Sequence, residues 1–198
     1  MISGNKIVLV LGGSRSGKSE FAEKLMRRSE GKRKGYIATS RILDEEMKYR
    51  VLLHQERRPA DWKTFEILSE AGEAMETVLA ETDTVLFDCI TMYVNNILME
   101  HISKKPVETL GVEDLETLQQ ALEKDLARMF EEISKTSGKE IIFVSDELGM
   151  GIVPANAMSR VYRDLVGLAN QYVARRAGEV YLSVAGITVE LKSRGVEL

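Results

Sequence analysis

The chain has 198 residues, 44% of them hydrophobic and 29% charged, which suits one globular domain with enough interior for a core. Its formal charge of −4 argues against a sequence-independent nucleic-acid binder, which needs a strong basic field. A single cysteine, Cys89, excludes an internal disulfide and a cysteine-rich metal site, and no apolar run has the length of a membrane span. The N-terminus shows no charged leader ahead of an apolar run, so the expected compartment is the cytoplasm.

In chain order, short runs rich in Val, Ile and Leu alternate with longer amphipathic stretches. Lys6–Leu11 reads as a strand, followed by a glycine loop and a helix from Lys18 to about Ser29. Lys32, Arg33 and Lys34 form a short basic turn, read as solvated. Gly35–Ala38 is a second strand, and a helix through Asp44–Arg57 stops before Pro59. Thr64–Leu68 and Thr84–Phe87 are further strands, the latter ending at Asp88. Ser103–Asp114, with Pro106 and Gly111, reads as an irregular excursion. A helix over Leu115–Ser134 precedes the strand Glu140–Ser145, whose apolar residues run without alternation. A helix over Ala157–Arg176 leads to a hairpin of Glu179–Ala185 and Thr188–Leu191 around Gly186. Such alternation predicts an α/β domain: a mainly parallel sheet with helices on both faces and an antiparallel edge hairpin. Ligands in such sheets bind at the carboxyl ends of the strands.

The loop after the first strand, Gly12-Gly13-Ser14-Arg15-Ser16-Gly17-Lys18-Ser19, fits G-x-x-x-x-G-K-[ST] without a mismatch. It follows an apolar strand and opens a helix, the context that motif requires. Glycines allow successive N–H groups to converge on a phosphate, and the helix start adds its positive dipole end. Lys18 is placed to reach the β- and γ-phosphates, and the Ser19 hydroxyl to take one Mg2+ position. The fold expected is therefore P-loop NTPase-like, of the RecA-like kind. The motif predicts nucleotide binding and leaves the reaction open, since ATPases, switch GTPases and small-molecule kinases share it.

Asp88 ends a buried strand, where a second magnesium ligand belongs, unless it caps the segment that follows. Asp146 and Glu147 end another strand and compete for the same role. In the stretch from Asp44, the residues Met47, Val51 and His54 share one helical face, with Arg50 and Arg58 four residues either side of His54. Flanking guanidiniums disfavour imidazole protonation, and a neutral imidazole is a nucleophile. By spacing alone, however, a core histidine beside two surface arginines is the better account. His101, the other histidine, lies in a polar stretch.

The blocks Tyr36-Ile37-Ala38-Thr39, Asp44-x-Glu46-Met47-x-x-Arg50 and His54-x-x-x-Arg58-Pro59-x-x-Trp62-x-Thr64-x-Glu66 resemble the bifunctional adenosylcobinamide kinase/adenosylcobinamide-phosphate guanylyltransferase family. Asp88-Cys89-x-Thr91, Gly149–Pro154 and Arg160-x-x-Arg163-Asp164-x-x-Gly167-x-x-Asn170-Gln171 are similar to further blocks of it, so the resemblance runs from Lys6 to about Lys192. It implies that His54 attacks the α-phosphate of GTP, giving a histidine–GMP intermediate that passes GMP to adenosylcobinamide phosphate. It also implies a kinase acting on adenosylcobinamide with ATP or GTP. Carried over by position, nucleotide contacts fall on Gly12–Ser19, Ala38, Thr39, Ser40, Gln55, Glu56, Arg57, Arg58, Glu66 and Asp88, with Ser19 and Asp88 on the metal. Lys18 and His54 are the catalytic pair so implied. The resemblance further implies a homotrimer with active sites between subunits, and no nucleic-acid or membrane partner. Two departures stand out: Asp146 where the family usually has Asn, which adds negative charge near the phosphates, and Thr188 where a proline is common.

Two rival functions remain at this level. A small-molecule kinase would use the same loop with His54 only structural. A GTP-binding switch would signal by ordering loops around the γ-phosphate, but the chain shows no obvious Asn-Lys-x-Asp element for reading guanine.

Overall fold

An apolar run with no polar alternate has no face to offer water, so the runs at 7–10 and 141–144 need cover on both sides. The computed structural model, which describes residues 4–41, 45, 49, 52, 58–103 and 105–196, provides it. The strands are β1 (Lys6–Gly12), β2 (Lys34–Ala38), β3 (Lys63–Glu66), β4 (Thr84–Asp88), β5 (Glu140–Asp146), β6 (Glu179–Val184) and β7 (Ile187–Glu190). Between them lie α1 (Lys18–Arg28), α2 (Ala71–Glu81), α3 (Ile90–Ile102), α4 (Val112–Ser134) and α5 (Ala157–Arg176). The sheet order is β3-β2-β4-β5-β1-β6-β7, parallel throughout except for the terminal β6–β7 hairpin.

Alternation along each central strand splits the core in two. Ile7, Leu9, Val85, Phe87, Ile141 and Phe143 face the larger cluster, with side chains from α2, α3, α4 and α5. Val8, Val10, Leu86, Ile142 and Val144 face the smaller one, with Ala22 and Met26 of α1, Tyr36 and Trp62. In the larger cluster Phe143 packs against Phe87 at 5.5 Å and Phe130 at 5.7 Å between ring centroids.

The expected strands and the parallel sheet with its edge hairpin are present, most boundaries shifting by a residue or two. Two helices carried no expectation. α2 starts at Ala71 after Glu70, whose φ is +55°, with no side-chain cap of its own. Its first N–H groups are met from elsewhere: Ala71 N donates to the Tyr93 hydroxyl (2.9 Å) and Gly72 N to Asp125 of α4 (3.1 Å). The Tyr93 hydroxyl in turn donates to Asp125. α3 follows β4 directly, and its N-cap is Cys89, whose sulfur accepts from Met92 N at 3.4 Å. The segment expected to be irregular holds a single 3-10 turn, Val107–Thr109, with Val107 buried, and then the first turn of α4. There Asp114 accepts from Gly111 N at 2.8 Å and pairs with Lys105 at 2.5 Å. The basic turn is tethered rather than freely solvated: Arg33 bonds Asp83 at 2.6 Å, which holds that carboxyl down at about 2. Among the described residues no helix is long and apolar enough to cross a membrane.

Phe143→Ala removes a ring that is wholly buried between two others. Urea unfolding should show a loss of about 3–5 kcal/mol; a loss near that of an exposed residue would mean the two-sided core is wrongly described.

Candidate active site

Sheet register sets which residues meet at the carboxyl edge. Glu66 lies beside Ala38, and Ala38 beside Asp88. Gly12 lies between Asp146 on β5 and Ser183 on β6. Because Val10, Tyr36, Leu86 and Val144 all face α1, the alternation carries Gly12, Ala38, Asp88 and Asp146 to that same face. The edge of the sheet beside the start of α1 is therefore where most of the expected residues converge.

The phosphate loop turns at Gly12. A β-carbon there would lie 2.4 Å from Ser16 Oγ and 2.6 Å from the Ser183 carbonyl oxygen, so only glycine fits. Gly17, with φ +93°, is the N-cap of α1 and brings no capping side chain, which leaves helix-start N–H groups directed at the loop. Ser16 N donates to Gly13 O (3.2 Å) and Gly186 N to Ser16 O (2.9 Å), tying the loop to the β6–β7 turn. Lys18 Nζ doubles back to Gly13 O at 3.3 Å and to Asp146 Oδ1 at 2.6 Å.

Asp146, which the sequence leaves competing with Asp88 and Glu147 for the metal and outside the expected nucleotide contacts, is the acid that the structure places against the loop. The signal that could have found it is parity: it lies two residues beyond Val144 on the α1 face of β5. Its neighbour Glu147 instead has its carboxylate on Gly149 N at 2.6 Å. The main chain of Asp146 is held at both ends: its N–H donates to Thr91 Oγ1 (2.6 Å) and its carbonyl accepts from Asn170 Nδ2 (3.0 Å).

Asp88 does not cap α3. Its Oδ2 accepts from the Tyr36 hydroxyl at 2.7 Å, and burial, then the Asp88 charge, drive the Tyr36 phenol far above its usual range, so it remains a donor. Arg58 stacks 3.5 Å above the Tyr36 ring and reaches Thr64 Oγ1 at 3.4 Å. Among the described residues, Nε of both Arg41 and Arg58 is buried with no hydrogen-bond partner. Thr39 Oγ1 donates to Cys89 O and accepts from Cys89 N, both at 2.8 Å, joining the tips of β2 and β4. Asn96 of α3, unmarked in the sequence, donates to Thr39 O (2.7 Å) and Leu68 O (2.9 Å). Burial, then Asp88, push the Cys89 thiol up to about 12, so it stays protonated and unreactive at neutral pH.

The structure thus brings together Gly12–Ser19, Ala38, Thr39, Glu66 and Asp88, with Ser40 following directly and Arg58 over Tyr36. His54, Gln55, Glu56 and Arg57 lie outside the described residues, as does Arg50. Of the expected helix around them, Glu45, Tyr49 and Leu52 are helical and exposed.

The profile of the cobinamide kinase / cobinamide phosphate guanyltransferase family matches residues 8–191. The bifunctional adenosylcobalamin biosynthesis protein CobU of Escherichia coli (strain K12) is 36% identical over 186 residues, covering 94% of this chain and 99% of that protein. Its namesake from Salmonella typhimurium is 37% identical over the same shares. The protein CobP of Pseudomonas aeruginosa is 35% identical over 93% of this chain and 96% of its own length. Among solved structures, a prototypical ATPase from the type III secretion system of pathogenic bacteria superposes with a TM-score of 0.54 at 11% identity, over 98% of this chain and 59% of that one. That likeness concerns the fold alone.

The two glycines that open the loop should separate in their tolerance. Gly12→Ala forces a β-carbon onto backbone and should cost about 1–3 kcal/mol, together with distortion of the loop. Gly13 has open space around it, so Gly13→Ala should stay within about 0.5 kcal/mol of the parent. Thermal unfolding of both variants checks this; equal losses would contradict the loop geometry.

Proposed function

The chain belongs to the cobinamide kinase / cobinamide phosphate guanyltransferase family of bifunctional transferases, and from that premise we propose how its residues divide the work. In the kinase step, adenosylcobinamide takes the γ-phosphoryl group of ATP or GTP on its aminopropanol hydroxyl. In the second step GMP passes from GTP to adenosylcobinamide phosphate, giving adenosylcobinamide-GDP and pyrophosphate. The whole chain acts as one nucleotide-binding domain in the cytoplasm.

The observation that carries the nucleotide reading is the Lys18 ammonium folded into its own loop, 3.3 Å from Gly13 O, at the carboxyl edge of a parallel sheet. In this reading Lys18 holds the β- and γ-phosphates, the loop N–H groups and the start of α1 bind their oxygens, and Ala38–Ser40, Glu66 and Asp88 make further contacts to the bound nucleotide and its metal. The Ser19 hydroxyl and a strand-tip carboxylate, Asp88 first, are hard oxygen donors suited to Mg2+. Among the described residues no cluster of three or more His, Cys, Asp and Glu forms a protein-only metal cage. When bound, magnesium neutralises charge that develops on the transferred group.

For GMP transfer, a ring nitrogen of His54 attacks the α-phosphorus as the bond to the pyrophosphate oxygen breaks. The phosphate oxygen of adenosylcobinamide phosphate then attacks the same phosphorus and expels the histidine. Arg58, fixed over Tyr36, and Arg41 each bury an Nε that has no hydrogen-bond partner among the described residues, donors suited to a phosphate oxygen. The working unit in this proposal is a homotrimer with sites between subunits. Support comes from the loop after β5, where Met150, Ile152 and Val153 stand exposed, Ile152 at 96%. Sedimentation at assay concentration checks it, and an active monomer would overturn it.

The chemistry is tested with GTP labelled at the α- or γ-phosphate, followed by denaturing separation. Label should be retained from the α-position alone, acid-labile and alkali-stable as a phosphoramidate requires. His54→Ala should abolish that label and adenosylcobinamide-GDP formation while leaving kinase turnover measurable. Lys18→Ala should weaken triphosphate binding by roughly tenfold to a hundredfold. Persistent α-labelling of the His54→Ala protein would remove this histidine from the mechanism, and γ-transfer to adenosylcobinamide with no α-label on the parent protein would reduce it to a kinase.

A further inference from the structure

We propose that Asp146 is a built-in counter-ion for Lys18, which an incoming triphosphate must displace, and that this exchange makes nucleotide binding depend on a divalent cation. The inference rests on the nucleotide reading above and concerns one residue's effect on it.

The pair is close and sheltered: Nζ to Oδ1 is 2.6 Å, with 12% of the Lys18 side chain and 26% of the Asp146 side chain exposed. The carboxylate cannot retreat by moving its backbone. Thr91 and Asn170 grip the N–H and the carbonyl of Asp146, and both are buried. The Tyr162 hydroxyl anchors Thr91 in turn, at 3.0 Å from its carbonyl oxygen. Gly12 lies in register with Asp146 on the adjacent strand, so the acid stays at the mouth of the loop whatever its side chain does.

A bare triphosphate would therefore meet two costs at this point. It must take Lys18 from a charge-assisted partner, and it must set its own negative oxygens beside a fixed carboxylate. Lys18 has three donors, and sharing them between carboxylate and phosphate leaves the repulsion in place. A divalent cation lying with the phosphates weakens that repulsion, because it offsets two of their negative charges and itself attracts the carboxylate. Asp88 and Glu147 are engaged elsewhere. The Asp88 carboxylate accepts from Tyr36, and that of Glu147 accepts from Gly149 N.

The experiment measures GTP binding to the full chain by calorimetry, once in EDTA and once in excess Mg2+, for the parent, Asp146→Asn and Asp146→Ser. In EDTA, Asp146→Asn should bind GTP roughly tenfold more tightly than the parent. In Mg2+ the gap should close to within about threefold or reverse. Asp146→Ser, which removes the carboxylate with a different shape, should show the same ordering, and circular dichroism verifies that each variant is folded. Equal affinities in EDTA, tighter binding by the parent in EDTA, or a gain of the same size with and without Mg2+ would overturn the proposal. A parent protein that binds GTP under neither condition would overturn the nucleotide reading itself, and this inference with it.

Discussion

The crowding at Gly12 governs the geometry of the site. β1 runs between β5 and β6, and at its last residue the chain must leave the sheet with Ser16 Oγ and the Ser183 carbonyl oxygen already inside the space a side chain would need. The backbone turns over its own strand end, Gly17 takes φ +93°, and α1 begins at once. Lys18, first residue of that helix, is left with its ammonium back over the loop. A bulkier residue at position 12 would push the turn outward, and the lysine, helix start and Asp146 would no longer meet at one edge of the sheet. Close packing makes such a shift discontinuous rather than gradual.

The helices on the far side of the sheet hold this edge still. α3 inserts Asn96, which bonds two carbonyls near the tips of β2 and β3, and Thr91, which receives the Asp146 N–H. α5 adds Asn170 on the Asp146 carbonyl and Tyr162 on the Thr91 carbonyl. These are buried polar groups with partners, so each stabilises modestly when made and would cost more if left unmade. Their common effect is to convert strand ends, which would otherwise fray into loops, into fixed points. Substrate-facing side chains mounted on such points lose little freedom on binding.

How much of this was legible in the sequence follows from where the determining contacts lie. The doubly buried strands announce themselves, because a run such as Ile141–Val144 has no polar alternate. α5 has the bounds expected for it, Ala157–Arg176, and its N-cap, unmarked in the sequence, is Asn156, whose side chain accepts from Ser159 N at 3.0 Å. α2 and α3 were missed because their starts carry no local capping residue of the usual kind. α2 borrows Tyr93 and Asp125 from distant helices, and α3 uses a cysteine sulfur. The phosphate loop is a contiguous motif and was plain. The partners of the acids were not, since the Tyr36–Asp88 and Lys18–Asp146 contacts join residues that only the sheet order brings together.

Alternation along the strands offers a tighter rule than the loop motif alone. Residues of one parity face α1, and Tyr36, Ala38, Asp88, Asp146 and Gly12 all have it. Asp88 is in register with Val144, so Asp146 lies two residues further along the adjacent strand. With roughly 3.3 Å of rise per residue and about 4.8 Å between strands, the two α-carbons stand about 8 Å apart. Each carboxylate has its own partner: Asp88 a neutral phenol, Asp146 an ammonium. A hydroxyl partner leaves the Asp88 charge unneutralised, whereas an ammonium cancels that of Asp146. Before a ligand arrives, the carboxylate without an ammonium partner is therefore Asp88, with the Arg58 guanidinium over the neighbouring Tyr36 ring. A polyanion that draws Lys18 away exposes the Asp146 charge as well, so a cation arriving with it eases its approach to both acids.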